Sequence, residues 1–155
     1  MTENWYDTLP KKRSASGVLL FNESGHLLIV KPSYKEYWSL PGGVVDDNES
    51  PRKAAIREVK EEIGIDLPQV ELKCMDYMSD PIQLESYQMV FDGGILSAET
   101  IQSIKLDPKE ISDYGFYPLD KALALLGENT RRRLTIMFEA TDKSKFVYLE
   151  QGCKP

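Results

Sequence analysis

The sequence has 155 residues, the usual size of a single domain, of which 41% are hydrophobic and 28% are charged. A chain of this size and composition can bury a substantial core, which argues against an intrinsically disordered protein. Its formal net charge of −6 argues against a broad basic surface for nucleic-acid polymers, although a bound metal ion can reverse the local charge for a small anionic substrate.

The first predicted elements are two short apolar strands at residues 16–22 and 26–31, joined by a turn-like Glu-Ser-Gly. Proline and two glycines at 41–43 indicate a tight turn whose backbone can be approached closely. The later elements are strands at 44–45, 70–77, 85–95 and 115–118 and helices at 119–126 and 130–140, with a loop at 107–112. Strands and helices alternate without a regular βαβ rhythm, which favours a mixed sheet with helices packed on it.

A helix with clear start and stop signals occupies the middle of the sequence. Ser50 is a good N-cap, Pro51 suits the first helical position, and Gly64 fits a left-handed stop after Ile63. At 100° per residue the apolar side chains fall on one face, which should pack onto the sheet. That apolar stripe consists of Ala55, Ile56, Val59 and Ile63.

Three glutamates of this helix, Glu58, Glu61 and Glu62, share a face beside the apolar stripe. Like charges at i, i+3 and i+4 repel by roughly 0.2–0.5 kcal/mol per pair, and the edge of a packed interface is a poor place for uncompensated carboxylates. The same position suits Mg²⁺ or Mn²⁺, which prefer carboxylate oxygens. The alternative is a solvated acidic face supported by an Arg57–Glu61 pair at i, i+4.

The wider sequence around the helix favours the metal site. Residues 42–65 read GGVVDDNESPRKAAIREVKEEIGI. This segment resembles the Nudix box, G-x5-E-x7-R-E-U-x-E-E-x-G-U with U aliphatic. The residues at its specified positions are Gly43, Glu49, Arg57, Glu58, Val59, Glu61, Glu62, Gly64 and Ile65. The likeness to the Nudix (MutT-like) hydrolase family extends over most of residues 15–127, with motif-level agreement at 38–65.

The resemblance implies a fold and an activity. The fold is an α/β/α three-layer sandwich around a mixed sheet, expected here as one domain over residues 1–155, with loosely ordered ends at 1–12 and 151–155. The activity is metal-dependent hydrolysis of a nucleoside diphosphate linked to another moiety, such as a nucleotide sugar, ADP-ribose or a nucleoside triphosphate, with water attacking a diphosphate phosphorus. The alternative is a Nudix-fold regulator that senses a nucleotide without cutting it, and such proteins usually have a degraded box.

The resemblance also implies roles for the box residues. Glu58, Glu61 and Glu62 would bind Mg²⁺ or Mn²⁺, together with the backbone carbonyl of Gly43. Glu49 and Arg57 would orient the catalytic glutamates. For the general base, the choice lies between Glu61 or Glu62 and a carboxylate from a later loop. The later candidates are Glu110, Asp113 and Glu99, of which Glu110 is best placed, shortly before a predicted strand.

The substrate residues are predicted from their chemistry. Candidates for stacking on a base are Tyr34, Tyr37 and Tyr87, and candidates for contacting phosphates are Lys31 and Lys35; ordinary packing and solvated lysines are the alternative. Pro81, sixteen residues beyond Ile65, resembles a proline of ADP-ribose pyrophosphatases, but it also suits a plain turn. Ile82 stands where dinucleoside polyphosphate hydrolases have a tyrosine. We expect a small nucleotide-type diphosphate as the substrate, with a homodimer left open.

The sequence also predicts the compartment. Cys74 and Cys153 lie far apart and form no CxxC pair, so two free thiols in a reducing compartment are expected. The apolar run at 17–21 is too short for a signal peptide, and no segment reaches the roughly 18 apolar residues of a membrane span. We therefore expect a cytoplasmic protein that does not associate with membranes.

Overall fold

The structure is a computed structural model that describes residues 2–82 and 84–155. Within these residues the strands are β1 (Arg13–Phe21), β2 (Leu27–Pro32), β3 (Gly42–Val44), β4 (Glu71–Asp80), β5 (Leu84–Ile95), β6 (Ile111–Tyr117) and β7 (Val147–Glu150). The helices are α1 (Pro51–Ile63), α2 (Ala98–Gln102), α3 (Leu119–Leu125) and α4 (Glu128–Glu139), preceded by a 3-10 turn at Trp5–Thr8.

The described strands form one mixed sheet in the order β6-β2-β1-β5-β4-β7, with β3 paired to β1 beside β2. The β1–β5 and β4–β7 pairs are parallel, whereas β1–β2, β1–β3, β2–β6 and β4–β5 are antiparallel. Because β1 lies at the centre, its first half contacts β3 on one side and β5 on the other. This arrangement brings the box residues of β3 to the middle of the sheet.

Two hydrophobic cores lie on opposite faces of the sheet. Val18 and Leu20 face α1 and pack with its Val59 and Ile63. Leu19, between them in the strand, points to the other face and joins the core that includes residues of α3, α4 and β7. A sheet with apolar residues on both faces needs a helical layer on each side. The predicted α/β/α sandwich around a mixed sheet is therefore confirmed.

Helix α1 begins and ends as its sequence predicts. The Ser50 side chain accepts a hydrogen bond from the Lys53 backbone at 3.1 Å, which satisfies one of the free N–H groups of the first turn. Gly64 has φ 77° and donates its N–H to the Lys60 carbonyl at 3.0 Å. This left-handed conformation is inexpensive only for glycine, which sets the end of the helix.

Several elements differ from the sequence prediction. Strand β6 begins at Ile111, inside the predicted 107–112 loop, and α2 and β7 were not predicted. In β7 the buried side chain is Leu149, between exposed Tyr148 and Glu150, so its sequence carries little strand signal. β7 forms by parallel pairing with β4, a long-range contact that local propensity cannot predict.

The C-terminal end makes specific contacts with β4. The Gln151 side chain exchanges hydrogen bonds with the backbone of Ser79, at 3.0 and 2.8 Å. The single-domain organisation and the loosely ordered ends stay predictions.

Among the described helices, none has the length and apolar character needed to cross a membrane.

The two cysteines provide a chemical test of the packing. Both thiols are free, but Cys74 is fully buried and burial raises its pKa to about 12, whereas Cys153 is exposed. Because the thiolate is the reactive form, we expect an aromatic disulfide reagent at pH 8 to modify one thiol in the folded chain and the second only after unfolding. Cys153→Ser should remove the fast reaction, and Cys74→Ser should leave it. Two fast thiols in the native chain would contradict the burial of Cys74.

Candidate active site

A cleft of about 490 Å³ crosses the centre of the sheet. It is lined by residues 15–17 of β1, 88–90 of β5 and 42–44 of β3, among others. The residues predicted for the site that line this cleft are Tyr34, Lys35, Gly43, Glu58, Glu62 and Glu110. The sheet therefore brings together side chains from α1 and from the loops before β3 and β6.

Three carboxylates meet at one end of the cleft. Oxygen atoms of Glu58, Glu62 and Glu110 lie within 4.8 Å of one another. Glu58 and Glu62 are one helical turn apart in α1. Glu110 reaches them because the loop before β6 is tied to the helix: the Asp107 N–H donates to the Glu62 carbonyl at 3.2 Å, and the Glu110 N–H donates to the Asp107 carbonyl at 3.0 Å.

Negative charge is unfavourable at this cluster in the absence of a cation. Glu62 is only 7% exposed, and burial, with smaller contributions from Glu58 and Glu110, raises its pKa to about 8, although the Gly42 N–H donates to its Oε2 at 3.1 Å. Burial also raises the pKa of Glu58, opposed by Arg57. Converging carboxylate oxygens of this kind are ligands that Mg²⁺ and Mn²⁺ prefer, so the residues fit a divalent cation.

The two glycines of β3 allow the backbone to lie against this cluster. Gly42 has φ 152°, and a Cβ there would collide with the Ser16 carbonyl. A Cβ at Gly43 would lie 2.5 Å from Glu58 Oε1. Only glycine therefore fits at position 42. At position 43, glycine lets the backbone lie next to Glu58, which the predicted role of the Gly43 carbonyl as a ligand requires.

Arg57 connects the loop after β3 to the glutamates of α1. Its Nε and Nη2 donate to both carboxylate oxygens of Glu49, at 2.7 and 2.9 Å, and Nη1 donates to Glu58 and Glu61, each at 3.0 Å. Nη2 also donates to the Val44 carbonyl at 3.3 Å. The hydrogen bonds from Arg57 lower the pKa of Glu49 to about 2. One planar guanidinium thus holds the loop, a candidate ligand and the helix together.

Arg57→Lys is expected to reduce metal affinity and turnover by about 10–100-fold, the usual size of losing a residue that orients metal ligands. A lysine ammonium keeps the charge but cannot reproduce the two-pronged contact with Glu49. Calorimetry with Mn²⁺ and steady-state kinetics would measure both effects. Arg52→Lys, an exposed change on the same helix, is the matched control. Equal metal affinity and turnover in wild type and Arg57→Lys would contradict the orienting role.

Other predicted residues lie outside the carboxylate cluster. The Glu61 side chain is 47% exposed, and its carboxylate accepts from Arg57. Lys31 Nζ donates to the carbonyls of Pro32 and Lys35 and so supports the loop that carries Lys35. The Glu61 contact with Arg57 corresponds to the i, i+4 pair considered from the sequence, and its role as a metal ligand stays a prediction.

The remaining candidates lie elsewhere. The Tyr87 ring lies 5.8 Å from that of Tyr77, outside the residues that line the cleft. Asp113 lies in β6 and Glu99 in α2, and neither lines the cleft. Of the three later-loop carboxylates considered for the general base, the structure therefore brings only Glu110 to the cluster.

The sequence reasoning missed the other end of the cleft. Thr130 and Arg133, one turn apart on α4, line it together with Gln88 of β5. Arg133 is only 5% exposed, and its Nε donates to the buried Asp76 at 2.9 Å. The available signal was weak: Arg133 ends an Arg-Arg-Arg run and directly precedes Leu134, so its place beside the apolar stripe could have marked it as the buried arginine.

Comparison with known proteins agrees with this geometry. The NUDIX domain profile matches residues 11–138. The RNA pyrophosphohydrolase of Wolbachia sp. subsp. Brugia malayi is 39% identical over 69 residues, covering 44% of this chain and 43% of that protein. The 8-oxo-dGTP diphosphatase of Proteus vulgaris is 37% identical over 65 residues, covering 40% of this chain and 58% of that protein. The chain thus spans less than half the length of the first curated relatives it matches.

A solved structure shares the fold over nearly the same extent. The MutT protein of Methanosarcina mazei Go1 superposes with a TM-score of 0.69 at 27% identity, covering 86% of this chain and all of that one. The profile match includes all of β1, all but the last residue of α4 and every position of the box. The chain belongs to the NUDIX domain family.

Proposed function

We propose that this chain is a metal-dependent diphosphohydrolase that cuts a nucleoside diphosphate linked to another moiety. The observation that carries the proposal is the convergence of Glu58, Glu62 and Glu110 within 4.8 Å at one end of a cleft. The relatives named an RNA pyrophosphohydrolase and an 8-oxo-dGTP diphosphatase support the same class of bond, a phosphoric anhydride. The complete box argues for turnover over nucleotide sensing without hydrolysis.

The metal in this proposal is Mg²⁺ or Mn²⁺, held by Glu58 and Glu62, with Glu61 and the Gly43 carbonyl as the further predicted ligands. Such a cation neutralises the diphosphate and lowers the pKa of a water molecule. Arg57, braced by Glu49, keeps the Glu58 carboxylate in one orientation. The protein thereby preorganises the charges that the reaction requires.

Lys35 is proposed to contact a substrate phosphate. It lines the cleft, and its Nζ lies 5.5 Å from the ring centroids of both Tyr34 and Tyr37. These cation–π contacts restrict an otherwise flexible side chain near the carboxylates. Lys31 donates to the Lys35 carbonyl and so supports this loop. Of the predicted stacking residues, Tyr34 is the best placed, because neither Tyr37 nor Tyr87 lines the cleft.

Glu110 is the proposed general base, which accepts the proton of the attacking water. It comes from outside α1 and still lies close to Glu58 and Glu62. Glu110→Gln should lower kcat by about 10²–10⁴-fold, the usual contribution of a general base, while Mn²⁺ affinity measured by calorimetry stays within a few-fold. A parallel loss of Mn²⁺ affinity would identify Glu110 as a ligand instead.

Product release from a panel of diphosphates tests the proposal as a whole. The panel comprises nucleotide sugars, ADP-ribose, nucleoside triphosphates, dinucleoside polyphosphates, NADH and RNA with a 5′-triphosphate. We expect turnover of at least one compound with Mg²⁺ or Mn²⁺ and none with a chelator. Binding of these compounds without any product would overturn the hydrolase assignment and favour the nucleotide-sensing alternative. A cytoplasmic location and a homodimer stay predictions.

A further inference from the structure

The far end of the cleft contains a buried ion pair that the hydrolytic site does not use. Arg133 is 5% exposed and Asp76 fully buried, with Arg133 Nε donating to Asp76 Oδ2 at 2.9 Å. The other oxygen, Asp76 Oδ1, accepts from the Gly152 N–H at 3.0 Å. A buried ion pair is often no more stabilising than well-packed apolar side chains. Stability alone therefore does not explain why an ion pair occupies this position, and Arg133 also lines the cleft.

The orientation of Arg133 leaves donors available. Nε is engaged by Asp76, and within residues 2–82 and 84–155 the two terminal nitrogens donate to no other group. Because the side chain also lines the cleft, these N–H groups can serve a bound molecule. Asp76 holds the guanidinium in place, so little side-chain entropy is lost when a ligand accepts from it.

An acceptor lies beside these donors. Gln88 is the register partner of Asp76 in the neighbouring strand, so both side chains point to the α4 face of the sheet. The Gln88 amide nitrogen donates to Ser86 Oγ at 3.0 Å, and in the part of the chain that the structure describes no group donates to its carbonyl oxygen. The end of the cleft therefore presents guanidinium donors next to an amide acceptor.

The charge of this end argues for a base and against a second phosphate. Asp76 neutralises Arg133, so the pair presents donors without a net charge. The distance of the ion pair from β3 also suits a base. Val44 pairs with Ala15, Ala15 with Gln88, and Gln88 with Asp76, so three inter-strand steps separate β3 from the ion pair. At about 4.8 Å per step this is roughly 14 Å, which leaves room for a base at this end of the cleft while the phosphates lie beside β3.

We propose that Arg133, fixed by Asp76 and flanked by Gln88, selects 6-oxopurine nucleotides, so that guanine substrates are cut in preference to adenine substrates. The inference rests on the proposed hydrolase function and names its substrate class. The guanine edge has the O6 acceptor next to the N1–H donor, which complements Arg133 beside Gln88. Adenine has an amino donor at C6 and an acceptor at N1, which sets donor against donor and acceptor against acceptor.

Matched substrate pairs test the selectivity. The kcat/KM values for GTP and ATP, and for GDP-glucose and ADP-glucose, should favour the guanine member by about tenfold to hundredfold. The Asp76→Asn/Arg133→Met double variant removes both buried charges and should bring each ratio close to one. Gln88→Met, which leaves the ion pair in place, should also reduce the ratio. Arg132→Met, an exposed change on the same helix, is the control and should leave it unchanged.

The same experiments separate failure of this inference from failure of the proposed function. Equal kcat/KM for both members of a pair in wild type, or an unchanged ratio in the folded double variant and in Gln88→Met, would overturn the inference alone. If the chain cuts none of these four compounds, metal-free binding of GMP and AMP, measured by calorimetry, still tests the base preference. Tighter binding of GMP would then support base selection whether or not the chain cuts any compound of the wider panel, and equal or absent binding would overturn the selectivity inference alone.

Discussion

Glu62→Gln is expected to reduce turnover by about 10²–10³-fold or more while leaving the chain folded, the size of losing one preorganised electrostatic contact. Glutamine has nearly the same volume but offers no carboxylate to a cation, so the effect should fall on metal binding. Steady-state kinetics with Mg²⁺ and calorimetry with Mn²⁺ would measure it. Glu71→Gln, which removes an exposed carboxylate paired with Lys73 on β4, is the matched control and should change neither quantity.

The same variant should be at least as stable as wild type when metal is absent. The pKa of Glu62 rises from an ordinary 4.5 to about 8 in the folded chain, mainly because it is buried. The folded state therefore holds the proton more tightly than the unfolded state, and wild type loses stability as the pH rises from about 4.5 to 8. Glutamine does not ionise, so the stability advantage of Glu62→Gln should grow across that interval.

Urea denaturation with a chelator at pH 5 and pH 8 would measure this difference. Millimolar Mg²⁺ should reverse the order, because a ligand that binds only the folded state stabilises wild type by mass action. A Glu62→Gln chain that is unfolded, or less stable than wild type at pH 8 with chelator, would make Glu62 a structural residue. Glu61→Gln adds a comparison: an equal loss of metal affinity would support the predicted role of Glu61 as a ligand.

The difference between Glu61 and Glu62 illustrates what the sequence could predict about the site. The span of α1 followed from local signals at Ser50 and Gly64, and both are confirmed. The i, i+3, i+4 spacing correctly put three glutamates beside the apolar stripe. The same spacing also offered the Arg57–Glu61 pair, which the structure contains, but it could not predict that Glu62 would be 7% exposed, because that depends on packing against the distant Gly42.

Contacts between distant segments determine the features of the site that the sequence did not predict. Glu110 was one of three later carboxylates considered, and only the tie between its loop and the end of α1 distinguishes it from Asp113 and Glu99. Asp76 and Arg133 are 57 residues apart, and each reads in the sequence as an ordinary surface charge. Their pairing depends on the register of β4 and the docking of α4, which no local pattern encodes.

Breaking this pair should produce the largest loss of stability among the changes considered. Arg133→Met leaves the fully buried Asp76 carboxylate without its cation, and Asp76→Asn leaves the guanidinium without its anion. Removing one partner of a buried ion pair typically costs about 3–5 kcal/mol, a large part of the stability of a domain. Urea denaturation of both single variants, with Tm as a second measure, would show the loss.

The double variant Asp76→Asn/Arg133→Met should recover most of that loss, because it leaves no unpaired charge in the core and the introduced amide oxygen can still accept from the Gly152 N–H. A double-mutant cycle over these variants gives the coupling energy. The exposed pair Glu128–Arg132, one position earlier on α4, is the matched control, with an expected coupling of at most about 0.5 kcal/mol. If the double variant is as unstable as the worse single variant, the two charges are needed for packing. If the coupling energy between Asp76 and Arg133 is no larger than that of the control pair, Arg133 is solvated in the folded chain.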